Sequence, residues 1–297
     1  MARRVRRRGE PAAAPDLRPV ADPALTHVTV IEPSTPSIRA ELRELWRARE
    51  TAFVFAWRDV KVRYKQSLIG IAWAVLQPLM TMVVFTLIFG KFANFPSQGQ
   101  RYQVFVYSGL LPWSFFSTAL TQISNSVVSN RQLVQKVYFP RIILPFSGVL
   151  VPAVDFVFSS LVLLALMLWY DVPFHWTLLL APLFLAVLAS TALGVGSVLA
   201  TINVRYRDVP YAVPFLIQIW LYLSPVIYPA DAIPERWQVL LSLNPIVAGI
   251  TAFRWAVVGT PPPTTLQWSL GLTVTVLFLL GGLAIYRRSE SRFADTI

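Results

Sequence analysis

Cysteine is absent from this 297-residue chain, and histidine occurs only at His27 and His175. Without cysteine the chain forms no disulfide and offers no thiolate for metal binding or catalysis. Two histidines are too few for a histidine-based metal centre or a Ser-His-Asp triad. The predicted exposed loops also lack the paired carboxylates that glycosyl chemistry uses. We therefore expect no catalytic residues, no metal and no cofactor on this chain.

A phosphate-binding GxxxxGK[ST] loop is missing as well. The nearest Gly-Lys pair, Gly90 and Lys91, lacks the earlier glycine of that motif and lies at a predicted outer membrane boundary. The sequence therefore predicts that this chain does not hydrolyse ATP.

Charged residues are scarce, at 14% of the chain, whereas soluble domains carry about 25%. Apolar residues make up 55% of the chain and the mean hydropathy is +0.56. This composition indicates an all-α membrane protein. Apolar runs of about 17 to 25 residues predict six transmembrane helices, near 70–90, 104–128, 142–169, 176–202, 211–228 and 266–286.

The net charge of +11 is compatible with nucleic-acid binding, but its distribution favours membrane topology. Most lysines and arginines lie in the first 65 residues, in the connections 129–141 and 203–210, and in the C-terminal tail. Cytoplasmic segments of membrane proteins carry such an excess of positive charge. We therefore expect both termini in the cytoplasm and no nucleic-acid partner, because the basic residues are spread over separate loops.

The chain before the first span divides into two parts. Residues 1–37 are rich in arginine and proline and have no apolar periodicity, which predicts a disordered cytoplasmic leader. Residues 38–66 predict an amphipathic helix at the membrane interface, with an apolar stripe at Phe53, Trp57, Val60 and Tyr64. Its candidate membrane-contacting residues are Trp57, Arg58, Lys61, Arg63, Tyr64 and Lys65. Residues 289–297 are predicted to form a cytoplasmic tail.

Two connections between predicted spans have structure of their own. The segment 131–141 predicts a short cytoplasmic helix, either a docking element for a partner or a connector lying on lipid headgroups. The segment 231–258 is too short for two crossings and is interrupted at Asn244 and Pro245. It predicts two half-length helices that enter and leave the outer side of the membrane, with an external amphipathic hairpin as the alternative.

Few polar groups lie within the predicted spans. Asp155 is an intramembrane carboxylate, which is either functional or a structural group satisfied by a partner. Gly194 and Gly196, each four residues after a small residue, favour close helix packing. Seven aromatic residues are candidates either for the aromatic belt or for stacking on sugar rings: Tyr107, Trp113, Phe115, Phe116, Trp220, Tyr222 and Tyr228.

Several blocks of residues together resemble the membrane subunit of bacterial polysaccharide ABC exporters. In order they read RDVKVRYKQSLIGIAWAVLQPL, FGKF, YSGLLPWSFFSTAL, NRQLVQKVYFPRIILP, NVRYRDVPY, LSPVIYP and LNPI. The resemblance extends over roughly residues 39–288, and the leader lies outside it.

The resemblance implies a type-2 ABC exporter permease of the O-antigen and teichoic-acid type. Such a permease works in the bacterial inner membrane as a homodimer with two ATPase subunits, which bind Mg-ATP. The dimer encloses a channel for a polysaccharide linked to a polyprenyl diphosphate, and the seven aromatic residues are candidates for its lining. Segment 131–141 is then the coupling helix, with ATPase-contacting candidates at Arg131, Gln135, Lys136, Tyr138 and Arg141.

Two other functions are compatible with the sequence. A type-2 exporter of a smaller lipid or drug would share the topology. A secondary transporter driven by protons through Asp155 would instead transport without ATP.

Overall fold

The computed structural model describes residues 49–65, 72–136, 139–206 and 208–293. All regular secondary structure in these ranges is helical, which confirms the all-α prediction. The leader 1–37, the predicted first part of the interfacial helix at 38–48, Tyr138 and the last four residues lie outside the described ranges.

The helices follow one another with short connections. In chain order they are α1 (Arg49–Lys65), α2 (Ala72–Phe85), α3 (Tyr102–Ser129), α4 (Arg131–Lys136), α5 (Ile143–Ser147), α6 (Leu150–Trp169), α7 (Ala181–Arg205), α8 (Val209–Tyr222), α9 (Glu235–Ser242), α10 (Pro245–Val258) and α11 (Thr265–Glu290). Helix α2 continues as a π-helix over Thr86–Phe92, and 3₁₀ turns cover Trp176–Leu180 and Ala230–Ala232.

Five helical segments in the described ranges are long and apolar enough to cross a membrane, and they match predicted spans one to four and six. Their bounds are Ala72–Phe92, Tyr102–Ser129, Ile143–Trp169, Trp176–Arg205 and Thr265–Glu290. The chain is therefore a multi-pass membrane protein.

The predicted fifth span, 211–228, is shorter than expected. Its helix, α8, ends at Tyr222 and has 14 residues, which correspond to about 21 Å of a hydrocarbon layer about 30 Å thick. Pro225 and Pro229 follow, and each disfavours a further helical turn because proline lacks the N–H donor and its ring crowds the preceding turn. Apolar composition beyond Tyr222 therefore does not indicate helix.

The predicted helix pair over 231–258 is present as α9 and α10, which are bent by 100° at their junction. The Asn244 side chain caps α10 by accepting a hydrogen bond from the Ile246 N–H over 3.2 Å, and Pro245 occupies the first turn. Asn244 also donates to the Leu223 carbonyl and the Ser224 hydroxyl, over 3.2 and 3.0 Å. These bonds attach the bend to the end of α8.

Helix α3 lies at the centre of the bundle. It is the least apolar of the five spans, yet 78% of its most apolar window is buried, against 17–33% for the others. Polar side chains of α3 find partners inside the protein, as a membrane span requires. One example is Asn125, whose side chain donates to the Thr121 carbonyl over 2.9 Å and accepts from Asn203 of α7 over 3.1 Å.

Helices α7 and α11 pack with their backbones in close approach. A Cβ at Gly194 would meet the backbone of Phe278, and one at Gly282 would meet the backbone of Gly194. A Cβ at Gly196 would meet Ile123 of α3, only 2.6–2.8 Å from its side-chain carbons. The predicted small-residue packing of this span is therefore confirmed.

The connections sort into two ends of the bundle, as the charge pattern predicts. At one end, a buried cluster joins α3, α4, α5, α7 and the C-terminal residues; it consists of Val127, Val134, Phe139, Ile143, Leu144, Ala200, Tyr286 and Phe293. At the other end, hydrogen bonds join the α2–α3 loop to the α8–α10 region, including Gln100 to Val258 at 3.2 Å and Tyr102 to Ile227 at 3.0 Å. We call these the basic end and the opposite end.

Candidate functional site

Helix α1 lies across the basic end, and the predicted apolar stripe divides between the protein, which Val60 and Tyr64 face, and the exposed surface, which carries Phe53 and Trp57. Ala56 and Val60 are buried, at 4% and 7% exposure, whereas Phe53 and Trp57 are 61% and 46% exposed. Small Ala56 allows the helix to pack closely on α5 and α6, which turns the aromatic residues outward. Phe53 and Trp57 stack on each other with ring centroids 6.1 Å apart, forming an exposed aromatic surface suited to the membrane interface.

Asp155 of α6 is satisfied by two consecutive residues of α1. The Arg63 guanidinium lies 2.8 Å from one carboxylate oxygen, and the Tyr64 hydroxyl donates to the other. Burial and, secondarily, the bond to Asp155 raise the pKa of Tyr64 above its ordinary value, so the hydroxyl stays protonated. An unpaired charge at this depth would be costly, and these contacts favour the structural interpretation of Asp155.

Arg58 connects α1 to the start of α4. Its guanidinium contacts Asp59 at 2.7 Å and donates to the Asn130 side chain over 2.6 Å. The Asn130 carbonyl in turn accepts from the N–H groups of Leu133 and Val134 in α4, at 2.9 and 3.0 Å. The interfacial helix is therefore linked directly to the predicted coupling helix.

The predicted ATPase-contacting residues separate into two groups. Helix α4 ends at Lys136 and leaves Arg131, Gln135 and Lys136 exposed, while Val134 is buried beneath it. Arg141 instead binds within the chain: its side chain donates to the Glu290 carbonyl and its N–H to the Glu290 carboxylate. The structure thus gives Arg141 a role in attaching this connection to α11. Tyr138 lies outside the described residues.

The remaining interfacial candidates, Lys61 and Lys65, are exposed on α1. The Lys61 ammonium lies over the Trp57 ring, 5.9 Å from its centroid. Both are placed to meet headgroup phosphates beside the aromatic surface.

The seven candidate channel aromatics do not share one surface. Four of them are buried inside this single chain, at no more than 5% exposure: Tyr107, Trp113, Phe115 and Phe116. Tyr222 is 56% exposed, and Trp220 and Tyr228 are half-buried near it. The Tyr228 hydroxyl donates to the Tyr222 carbonyl over 3.1 Å, and Trp220 donates to Asn244 over 3.0 Å. In this conformation, α8 and the following turn carry the aromatics that a substrate could reach.

Sequence reasoning assigned no role to Arg254, which lies outside the predicted spans and within the segment 231–258. Arg254 lies in α10 and is 2% exposed. Its two terminal nitrogens donate to the carbonyls of Pro225 and Val226, over 3.1 and 3.0 Å, and its guanidinium stacks 3.9 Å from the Phe105 ring centroid. The apolar flanks of Arg254, ITAF and WAVV, are the signal that could have identified it as buried.

A multi-pass bundle with a basic interfacial helix at one end and a bent helix pair at the other has the architecture of a membrane permease. The chain belongs to the ABC-2 type transporter family, whose model matches residues 50–258. It is 30% identical to the O-antigen export system permease protein RfbA of Myxococcus xanthus, over 86% of this chain and 98% of that protein. The protein of the same name from Klebsiella pneumoniae is 29% identical, over 81% of this chain and 92% of its own length. The polysialic acid transport protein KpsM of Escherichia coli is 24% identical, over 78% and 91%.

Proposed function

We propose that this protein is the transmembrane subunit of an ATP-driven exporter that carries a polysaccharide linked to a polyprenyl diphosphate across the bacterial inner membrane. The observation that carries this proposal is the near full-length similarity to RfbA of Myxococcus xanthus. Family membership supports the transport role. The names of the RfbA and KpsM relatives support a polysaccharide as substrate.

The proposed complex contains two copies of this chain and two copies of a separate ATPase subunit, which holds Mg-ATP. The absence of a GxxxxGK[ST] loop from the sequence supports a separate ATPase. Gln135 and Lys136 on the exposed face of α4 are the proposed contacts to that subunit. Movement of α4 would reach the spans through Asn130, which joins α4 to α3 and α1.

The basic end is proposed to face the cytoplasm, with both chain termini on that side. Exposed basic residues of α1, α4 and the C-terminal part of α11 support this orientation, because cytoplasmic segments carry the excess of positive charge. Phe139 and Phe293 share one buried cluster, which supports a position of the proposed coupling segment on the same side as the C-terminal residues.

The proposed export path lies between the two copies, beside α8. Tyr222 is exposed there, and Trp220 is half-buried against Phe116 with ring centroids 5.3 Å apart. Aromatic faces of this kind suit stacking against sugar rings. The buried Tyr107, Trp113 and Phe115 would then support the path from behind.

Gene deletion and complementation test this function in cells. A strain without the gene is expected to lose a surface polysaccharide and to accumulate the lipid-linked polymer in the cytoplasmic leaflet. The wild-type gene restores export, and so does Lys91→Glu, which changes an exposed lysine near the opposite end. Lys136→Glu is expected not to restore it. Normal surface polysaccharide in the deletion strain, together with loss of export of a small lipid, would contradict the proposal. It would support the alternative function, a type-2 exporter of a smaller lipid or drug.

A further inference from the structure

A polar cavity of about 640 Å³ lies at the basic end, between α1, the end of α3, α4 and α5. Its volume falls in the range of small-molecule sites, about 300–1,000 Å³. Its lining residues from α1, Arg58, Asp59, Val62 and Arg63, lie on the side of that helix away from Phe53 and Trp57. The cavity also borders the spans that contain Ser129 and Val151, so a lipid headgroup can enter it while the tail stays in the membrane.

Three guanidinium groups line the cavity, from Arg58, Arg63 and Arg131. Asp59 is the one acidic residue among its described lining residues, and Arg58 already contacts it. Arg63 forms an ion pair with Asp155, which lines an adjoining smaller cavity, and this pair offsets the charge of Arg63. Arg131 has no acidic partner among the described residues, so the cavity as a whole carries excess positive charge.

The arginines keep donors available for a ligand. Arg58 uses Nε and Nη2 for its bonds to Asp59 and Asn130, and its Nη1 group has no acceptor among the described residues. The rest of the polar lining consists of amides and hydroxyls from Gln122, Ser126, Ser129, Asn130, Gln132 and Ser147. Arginine binds phosphate oxygens through paired, charge-assisted hydrogen bonds. The hydroxyls of Ser126, Ser129 and Ser147 already donate to backbone carbonyls, so the amides of Gln122 and Gln132 supply the further donors.

Resting on the proposed function, we propose that this cavity binds the diphosphate group of the lipid-linked substrate before export, with Arg58 and Arg131 as its main ligands. A diphosphate carries more charge and more acceptor oxygens than a phospholipid phosphodiester, and so makes fuller use of two guanidinium groups and the surrounding donors. The polyprenyl tail stays in the membrane.

The site also has a direct connection to the coupling helix. Arg58 holds the Asn130 side chain, and the Asn130 carbonyl accepts two hydrogen bonds from the first turn of α4. A diphosphate that draws Arg58 toward itself therefore acts on the start of α4. Loading of the substrate is in this way communicated to the surface proposed to contact the ATPase.

The test measures binding of radiolabelled undecaprenyl diphosphate, without sugar, to the purified permease–ATPase complex in phosphatidylcholine nanodiscs and without ATP. Arg131→Gln is the principal variant because the Arg131 side chain is exposed and forms no hydrogen bond or ion pair with the described residues. Arg205→Gln is the matched control, since Arg205 is an exposed arginine at the same end but outside the cavity. Unlabelled undecaprenyl diphosphate, phosphatidylglycerol and inorganic pyrophosphate serve as competitors.

The proposal predicts that Arg131→Gln raises the Kd about tenfold or more and that Arg205→Gln leaves it unchanged. Unlabelled undecaprenyl diphosphate should compete strongly, inorganic pyrophosphate weakly and phosphatidylglycerol little. Unchanged binding in both Arg131→Gln and the double variant Arg58→Gln/Arg131→Gln would overturn the site. Equal competition by phosphatidylglycerol would overturn the assignment to a diphosphate.

Failure of this site is distinguishable from failure of the proposed function. If the variants bind normally while the wild-type complex exports polysaccharide, the site is wrong and the function stands. If the wild-type complex binds undecaprenyl diphosphate through Arg131 but exports no polysaccharide, the site stands and the function is wrong.

Discussion

At the scale of single residues, the structure assigns partners to two ionisable groups that lie among apolar helices. Asp155 forms an ion pair with Arg63 and accepts a hydrogen bond from Tyr64, and both of these residues belong to α1. Arg254 donates to backbone carbonyls and stacks on the Phe105 ring. Buried charges persist where hydrogen bonds and partners compensate them. The two residues therefore hold α1 against α6 and α10 against the turn after α8.

Asp155→Asn is expected to preserve ATP-driven export. The amide oxygen of the new asparagine still accepts a hydrogen bond from Tyr64. Arg63 loses its ion pair, but water can solvate its guanidinium because its side chain is 38% exposed. We expect a loss of about 1 kcal/mol in stability, measured as a lower Tm in detergent, with export assayed in parallel. Loss of export at an unchanged Tm would contradict this and support a proton-driven role for Asp155.

Arg254→Met is expected to destabilise the opposite end. The substitution leaves the Pro225 and Val226 carbonyls without their donor, at a cost of about 2–4 kcal/mol. Arg254→Lys should be nearly as damaging, because a lysine cannot make the forked contact and the ring stacking together. Thermal unfolding measures both, with exposed Arg236→Met as the control. Equal Tm values for the Arg254 and Arg236 variants would show that the contact contributes nothing.

The sequence identified Asp155 as unusual because a carboxylate stands out in an apolar run, but it did not reveal Arg63 and Tyr64 as its partners. Those partners lie 91 and 92 residues earlier, and no local pattern reports such a contact. Arg254 was misplaced because charge counting treats every arginine outside a span as a loop residue. The burial of Tyr107 and Phe116 was not predictable from the sequence either, because it depends on how α3 packs against its neighbours.

At the scale of elements, apolar periodicity and the length of the apolar runs predicted most helices. These patterns failed where packing between helices determines the structure. The five long spans and the break at Asn244–Pro245 follow from apolar runs and proline placement. The contacts of Val60 and Tyr64 with the protein do not, because they depend on how α1 packs against α5 and α6. The end of α8 at Tyr222 reflects the prolines that follow it.

Gly282→Ala is expected to separate α7 from α11. Its Cβ would fall on the Gly194 backbone, which cannot move aside as a flexible side chain can. Overpacking of this kind costs about 1–3 kcal/mol. Gly281→Ala is the matched control, since a Cβ there has no atom within 4 Å. Size-exclusion profiles and Tm should change for the first variant only, and identical behaviour of the two would refute the close contact.

Lys136→Glu is expected to weaken coupling while leaving the fold intact. Lys136 is exposed on α4, so reversing its charge disturbs a partner surface and no internal contact. Reduced co-purification of the ATPase subunit, or ATPase activity that no longer responds to substrate, should accompany an unchanged Tm. Lys91→Glu at the opposite end is the control. Full coupling in Lys136→Glu would move the ATPase contact away from α4.

At the scale of the whole molecule, the bundle combines a buried central helix with more exposed outer helices, and its two ends differ in composition. The basic end gathers the proposed coupling segment and the C-terminal residues around one buried cluster, beside the proposed interfacial helix. The opposite end gathers the bent pair and the turn after α8 around Arg254. The distribution of basic residues and the interruption at Asn244 and Pro245 predicted this division, whereas composition alone predicted only a multi-pass membrane protein.

The central claim is that this chain, with its ATPase subunit, moves a lipid-linked polysaccharide across the membrane at the expense of ATP. The most direct measurement reconstitutes the purified complex in inside-out proteoliposomes and follows protection of added lipid-linked polysaccharide from an external glycosidase. We predict protection that requires ATP and disappears with a hydrolysis-deficient ATPase subunit. Protection that develops equally without ATP, or none from a complex that hydrolyses ATP normally, would contradict the account.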